Sequence, residues 1–175
     1  MTVQTATTQF YVPFTEINQQ VVDSAPADAI WVDVSAHKDA YWEALRDIWD
    51  RGETFAIIEH DVICPPGIAE LFDACECWWA THSYLQICHE ECREAWANQL
   101  GCTRFRAELI AACPDALSSI PEGRRNWHNL CDEIAGNKIG GVDQPTLRPG
   151  SLRAANFSHH WHEPHVSHHP WFVSR

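Results

Sequence analysis

The stretch at residues 54–63 reads Thr-Phe-Ala-Ile-Ile-Glu-His-Asp-Val-Ile, and it decides the fold class of this chain. Its apolar first half, rich in β-branched residues, predicts a buried strand that ends at two carboxylates, Glu59 and Asp61, flanking His60. On an extended backbone the two carboxylates point to one side and His60 to the other. Open α/β sheets bind ligands at the carboxyl ends of their strands, and paired carboxylates there suit a divalent cation that carries phosphates. The alternative is that the strand ends on acids simply because turns are polar.

The segments before this strand alternate between strand and helix patterns. The clearest helix is predicted at 37–51, where one apolar stripe comprises Tyr41, Leu45, Ile48 and Trp49 and a glycine follows the end. The predicted strands are 9–14, 29–34 and 54–60, and the predicted helices are 15–25, 37–51 and a third that opens at 67–72. This β-α-β-α-β-α order predicts a parallel sheet with crossover helices.

Beyond residue 75 the periodicity is weaker. The predicted strands are 77–84 and 101–105, and the predicted helices are 90–99, 106–113 and 126–136. Residues 137–156 have a loop composition, and residues 156–171 contain six histidines. We interpret the chain as a single domain over residues 1–175, in which the His-rich C-terminal segment 156–175 closes over the site.

Composition limits the class of protein. With 175 residues, 45% of them hydrophobic, and nine tryptophans, the chain is suited to one packed core. No segment approaches the ~20 apolar residues of a membrane-spanning helix. The net charge of −12 argues against nonspecific nucleic-acid binding, because an acidic surface repels phosphates. Residues 1–9 lack the layout of a signal peptide, so we expect a cytoplasmic protein whose eight cysteines are thiols or metal ligands.

Three acidic positions lie at predicted strand ends or near a helix start: Asp33 in Val-Asp-Val-Ser, the Glu59–Asp61 pair, and Asp132 in Trp-His-Asn-Leu-Cys-Asp. With Pro-Gly-Ile-Ala-Glu-Leu at 66–71 and the histidines near the C-terminus, these motifs make the chain resemble a small glycosyltransferase of the GT-A fold. The Glu-His-Asp at 59–61 takes the place of that family's Asp-x-Asp motif. The implied fold is a compact, Rossmann-like three-layer α/β sandwich with a mostly parallel central sheet.

The resemblance also implies an activity, namely transfer of a hexosyl or pentosyl group from a nucleotide-diphosphate sugar to an acceptor hydroxyl. Its implied cofactor is a divalent metal, Mn²⁺ or Mg²⁺, held by Asp61 with His168 and His162. The implied donor-binding residues are Asp33, Glu59, Asp61 and Arg104. Asp132 is the candidate general base toward the acceptor. Neither the sugar, the nucleotide nor the acceptor can be read from these residues.

Less specific interpretations remain open at this stage. Asp33 has a structural alternative, a turn closed with Ser35, and Glu133 is an alternative base to Asp132. The chain as a whole has two alternatives, a noncatalytic nucleotide- or sugar-binding module of the same fold and a zinc-binding protein that uses its cysteines and histidines. For the cysteines, core packing is the default, because free cysteine is among the most buried residue types.

Overall fold

The computed structural model describes residues 7–64, 66–75, 78–87, 94–97, 100–126, 130, 133–134 and 159–168, and for 82–87, 94–97 and 159–168 it describes the backbone alone. The protein is a mixed α/β structure. Its elements in chain order are β1 (Gln9–Phe14), α1 (Gln19–Ser24), β2 (Ile30–Asp33), α2 (Ala40–Trp49), β3 (Phe55–Ile58), β4 (Val62–Ile63), α3 (Ile68–Ala74), β5 (Trp79–Ile87), β6 (Glu94–Ala97), β7 (Cys102–Phe105), α4 (Ala107–Ala112), a 3-10 helix (Glu122–Arg124) and β8 (His159–His168).

The described strands form one eight-stranded sheet in the order β2-β1-β3-β7-β5-β8-β4, with β6 paired to β5. On one side, β2, β1 and β3 are parallel, joined by crossovers that contain α1 and α2. This half confirms the βαβ order predicted from the first 60 residues. The other half is mixed, because β7 is antiparallel to both of its neighbours and β4 is antiparallel to β8.

The mixed half follows from a short connection. Six residues, 88–93, separate β5 from β6, whereas a parallel crossover needs about a dozen or more. The chain therefore turns back at once, and β6 and β7 both run antiparallel to β5. The predicted helix at 90–99 is wrong in its described part, because residues 94–97 are a strand. The expected mostly parallel arrangement is therefore found in the β2-β1-β3 half of the sheet, and the other half is mixed.

Helices cover both faces of the sheet. Alternate residues of β1 and β3 face two separate cores, as the two-residue period of a strand requires. The α3-side core contains Phe10, Val12, Ala56 and Ile58 of these strands, packed with residues of α1 and α3. The α2-side core contains Tyr11, Phe55 and Ile57, packed with residues of α2 and α4.

The predicted elements are mostly confirmed, usually with shorter bounds, although β5 continues to Ile87, beyond the predicted end at residue 84. The apolar stripe of α2 is buried, and the glycine after it, Gly52, has φ +71°, a conformation that favours glycine. The helix predicted at 15–25 begins only at Gln19, because Asn18 caps it through its side chain, and Ile17 is left exposed before it. Most of the helix predicted at 126–136, and all of the loop predicted at 137–156, lie outside the described residues. None of the helices described here has the length and apolar character needed to cross a bilayer.

Candidate functional site

The three parallel strands end at one edge of the sheet, and two of them end on acidic residues. Asp33 is the last residue of β2 and pairs with Phe14, while Glu59 directly follows β3. Only β1 separates β2 from β3, so the two strand ends are about 10 Å apart, or two strand spacings. Of the acidic positions predicted from the sequence, Asp33 and Glu59 thus lie at the same edge.

The segment 59–62, which we call the acidic turn, is not extended. The Val62 N–H donates to the Glu59 carbonyl at 2.9 Å, and the Glu59 N–H donates to the Gly101 carbonyl at 2.8 Å. The prediction of side-chain alternation along an extended backbone is therefore wrong. Glu59 and Asp61 are nevertheless both buried, at 3% and 7% exposure, and near enough to interact electrostatically.

Burial controls the charge of Glu59. Loss of hydration raises its pKa from 4.5 to about 8, and the neighbouring charge of Asp61 adds to this effect. The Tyr41 hydroxyl, from α2, donates to Glu59 Oε1 at 3.2 Å and acts in the opposite direction. In the absence of a cation, Glu59 therefore keeps its proton at neutral pH.

These carboxyl groups fit the chemistry of a hard divalent cation. The charge of Asp61 makes ionisation of the buried Glu59 more costly, and a cation bound beside both groups would stabilise the ionised form of Glu59. Mg²⁺ and Mn²⁺ prefer oxygen ligands of this kind. Within the described part of the chain, no group of three or more His, Cys, Asp or Glu side chains is arranged to hold a metal. Binding of a divalent cation by Glu59 and Asp61 therefore stays a prediction.

Asp33 is exposed and forms the local turn that the sequence offered as its structural alternative. Its Oδ1 accepts a hydrogen bond from the Ser35 N–H at 2.9 Å. Hydrogen bonds from the Ser35 side chain and backbone lower the pKa of Asp33. The carboxylate is therefore ionised at neutral pH and oriented at the edge of the sheet. Contact with a nucleotide stays a prediction.

His162 and His168 both lie on β8, a strand of the same sheet. In β8, His168 pairs with Val62 and Ser167 with Ile63, so the backbone of His168 is one strand spacing from the acidic turn. His162 pairs with His82 on β5, and Ser167 pairs with Leu85 on that strand. The backbone of His162 is thus about 10 Å or more from that of His168 along the sheet. This register favours His168 over His162 as a ligand near Asp61.

Arg104 lies on β7, within the strand predicted at 101–105, but the burial of its side chain was not predicted from the sequence. It is buried, at 2% exposure, and its guanidinium donates to the carbonyl groups of Phe72 and of Cys75, the latter at 2.9 Å. Burial lowers its pKa. These contacts join β7 to the C-terminal end of α3, which is a structural role. Binding of a nucleotide sugar by Arg104 stays a prediction.

The candidate base Asp132 lies outside the described residues, but some of its neighbours do not. Leu130 and Ile134 belong to the α2-side core. Glu133, the alternative base, is 7% exposed and accepts a hydrogen bond from Arg124 Nε at 2.7 Å. That ion pair engages one of the two carboxylate oxygens of Glu133.

Sequence reasoning placed Tyr41 in the apolar stripe of α2 and missed its hydroxyl partner. Buried tyrosines generally find a hydrogen-bond partner, so a tyrosine within a stripe of Leu, Ile and Trp indicates a polar group nearby. The sequence predicted that the cysteines are thiols or metal ligands, and Cys64, Cys75, Cys102 and Cys113 are free thiols in the part of the chain that the structure describes.

Comparison with known proteins gives little to add to this geometry. No family model matches the sequence, and no curated protein is significantly similar to it. Among solved structures, the chain is similar to the crystal structure of A197 from STIV, with 13% identity and a TM-score of 0.47 over 74% of this chain and 76% of that chain. We draw no conclusion about fold or function from a similarity at that level.

Proposed function

We propose that this protein is a metal-dependent glycosyltransferase, which moves a sugar from a nucleotide-diphosphate donor to an acceptor hydroxyl. One observation carries the proposal: the buried carboxyl pair, Glu59 and Asp61, lies at the same sheet edge as Asp33. An edge of this kind, at the carboxyl ends of parallel strands, is where α/β sheets bind ligands. We extend the proposal to the fold, as a GT-A-like sandwich. The parallel β2-β1-β3 unit and the helices on both faces support this extension.

The proposed roles follow the position of each residue. Asp61, with Glu59, holds a divalent cation together with the donor diphosphate, and Tyr41 orients the Glu59 carboxyl group. Asp33 contacts the ribose or base of the donor. It lies about 10 Å from Glu59 along the edge of the sheet, a distance similar to the length of a nucleoside. The bound cation would supply charge stabilisation for the leaving nucleotide.

The remaining roles rest on the resemblance of the sequence. Asp132 accepts the proton of the acceptor hydroxyl, if attack is direct, and such a base contributes about 10²–10⁴-fold in rate. His168 completes the metal site from β8, a role that its register beside Val62 supports.

The first experiment is a thermal-shift series with Mn²⁺, a panel of nucleoside diphosphates, and both together. The wild-type protein should be stabilised most by the combination, since binding to the folded state alone raises the unfolding midpoint. Asp61→Asn should abolish the Mn²⁺-dependent part. Asp115→Asn, which removes one exposed carboxylate far along the chain, is the matched control and should behave as wild type. An Asp61→Asn variant stabilised as strongly as wild type would refute the metal assignment.

The second experiment separates a transferase from a noncatalytic binding module. Slow hydrolysis of a nucleotide sugar serves as a surrogate for transfer, measured with wild type and with Asp132→Asn. A transferase should release nucleoside diphosphate, and Asp132→Asn should lower the rate by about 10²-fold or more with nucleotide binding retained. Binding without any release across the panel of donors would instead favour the binding module.

A further inference from the structure

A pair of buried thiols lies beside the acidic turn. Cys64 follows β4, and Cys102 opens β7, where it pairs with Ile58 of β3. Both side chains are buried, at 6% and 0% exposure, and both belong to the α3-side core. They lie close enough together that, in addition to burial, Cys64 raises the pKa of Cys102. Both are free thiols, and the proposed transfer reaction uses neither.

The two cysteines lie where a short segment of the chain, residues 59–64, leaves and returns to residues 101–102. At the start of residues 59–64, the Glu59 N–H donates to the carbonyl of Gly101, next to Cys102. At the end of this segment, Cys64 lies in the same buried core as Cys102. The Cys64 N–H also donates to Ser24 Oγ at 3.0 Å, which fixes the backbone at this end. Both ends of the segment that carries the acidic turn therefore return to residues 101–102.

We propose that Cys64 and Cys102 are a redox modification site, at which a low-molecular-weight disulfide oxidises the two thiols to an intramolecular disulfide. The bond covalently fastens the segment 59–64 to β7. The placement of both thiols in one buried core, where the segment 59–64 lies against residues 101–102, carries the proposal, since a disulfide requires two cysteines already near each other. The proposal does not depend on the glycosyltransferase assignment.

The reaction balances as two thiol–disulfide exchanges. The Cys64 thiolate attacks one sulfur of the oxidant, breaks its S–S bond, forms a mixed disulfide and releases one small thiol. The Cys102 thiolate then attacks the Cys64 sulfur and releases the second small thiol. Two electrons pass from the cysteine pair to the oxidant, and the two cysteine protons end on the released thiols or in water. Cys64 reacts first, because it retains some exposure and because burial raises the pKa of Cys102.

The test uses the full wild-type chain, incubated with oxidised or with reduced glutathione and digested without reduction. We expect a peptide cross-linked between Cys64 and Cys102 only after oxidation. The oxidised protein should unfold at a higher temperature, because the bond restricts the unfolded chain. Cys113→Ala, which removes a half-buried thiol of the α2-side core, should keep both effects, whereas Cys64→Ala should lose both.

The peptide map of the wild-type protein decides the matter, even where an alanine variant fails to fold. The proposal is overturned if the other cysteines become glutathionylated and the peptides containing positions 64 and 102 stay reduced. It is equally overturned if Cys64 is recovered only as a mixed disulfide or joined to a cysteine other than Cys102.

Discussion

The carboxyl group of Glu59 should make the folded protein less stable as pH rises, and the substitution Glu59→Gln should remove this effect. The folded-state pKa is about 8, against an ordinary value of 4.5 that applies to the unfolded chain. Between these values the unfolded chain releases the proton and the folded chain keeps it. Stability from this group is therefore fully present below pH 4.5 and is lost as pH rises to 8.

The size of the effect follows from the same two values. Each pKa unit corresponds to about 1.4 kcal/mol, so the loss between pH 4.5 and pH 8 is up to about 5 kcal/mol. Glutamine has nearly the same shape and can still accept from the Tyr41 hydroxyl, and it carries no charge at either pH. Glu59→Gln should consequently be more stable than wild type at pH 8 by several kcal/mol, and close to wild type at pH 5.

Urea unfolding at pH 5 and pH 8, in the presence of a chelator, measures these free energies. The quantity of interest is the difference between wild type and Glu59→Gln, because other groups that titrate in this range cancel. Glu53→Gln removes an exposed carboxylate nearby in the sequence and serves as the control for charge alone. The reasoning is refuted if the stability curves of wild type and Glu59→Gln run parallel between the two pH values.

Three further substitutions test single contacts by urea or thermal unfolding. Gly67→Ala should lower the free energy of unfolding by about 1–2 kcal/mol, because Gly67 has φ +80°, a backbone conformation that alanine adopts at a cost. The added methyl group meets only ordinary contacts, so no steric cost is added. The control Gly123→Ala, in open space, should be nearly neutral. Arg104→Met should cost about 2–3 kcal/mol, because two carbonyl groups at the end of α3 lose their donor, and a smaller loss would show that water replaces it. Tyr41→Phe should cost about 1 kcal/mol and extend the pH-dependent loss to higher pH, since it removes the hydroxyl that lowers the pKa of Glu59; an unchanged pH profile would contradict this.

Local patterns in the sequence were sufficient for the first half of the fold. Strand and helix periods differ, so alternating segments up to residue 60 predicted β1, α1, β2, α2 and β3 with errors only at their ends. The same patterns located Asp33 and Glu59, because a strand's last residues are recognisable where its apolar run stops. Strands that are joined by crossover helices run parallel, so their carboxyl ends lie at the same edge of the sheet, and this follows from the connectivity alone.

The second half was harder to predict, because its structure depends on pairing between distant segments. Residues 94–97 have a composition compatible with a helix, and the antiparallel contact with β5 makes them a strand. The histidines at the C-terminus showed no period, and their position beside β4 and β5 is a matter of register between segments about 80–100 residues apart.

For the chemistry of the candidate site as well, the sequence determined one part and the tertiary structure determined another. The sequence alone determined which residues carry carboxylates, thiols and imidazoles, and which of them follow buried strands. Only the tertiary structure decided that Glu59 is buried against Tyr41, that Arg104 binds the end of α3, and that Cys64 meets Cys102. The reason is that burial and pairing depend on which segments pack together, and desolvation and hydrogen bonding by those neighbours set the charge and reactivity of each group.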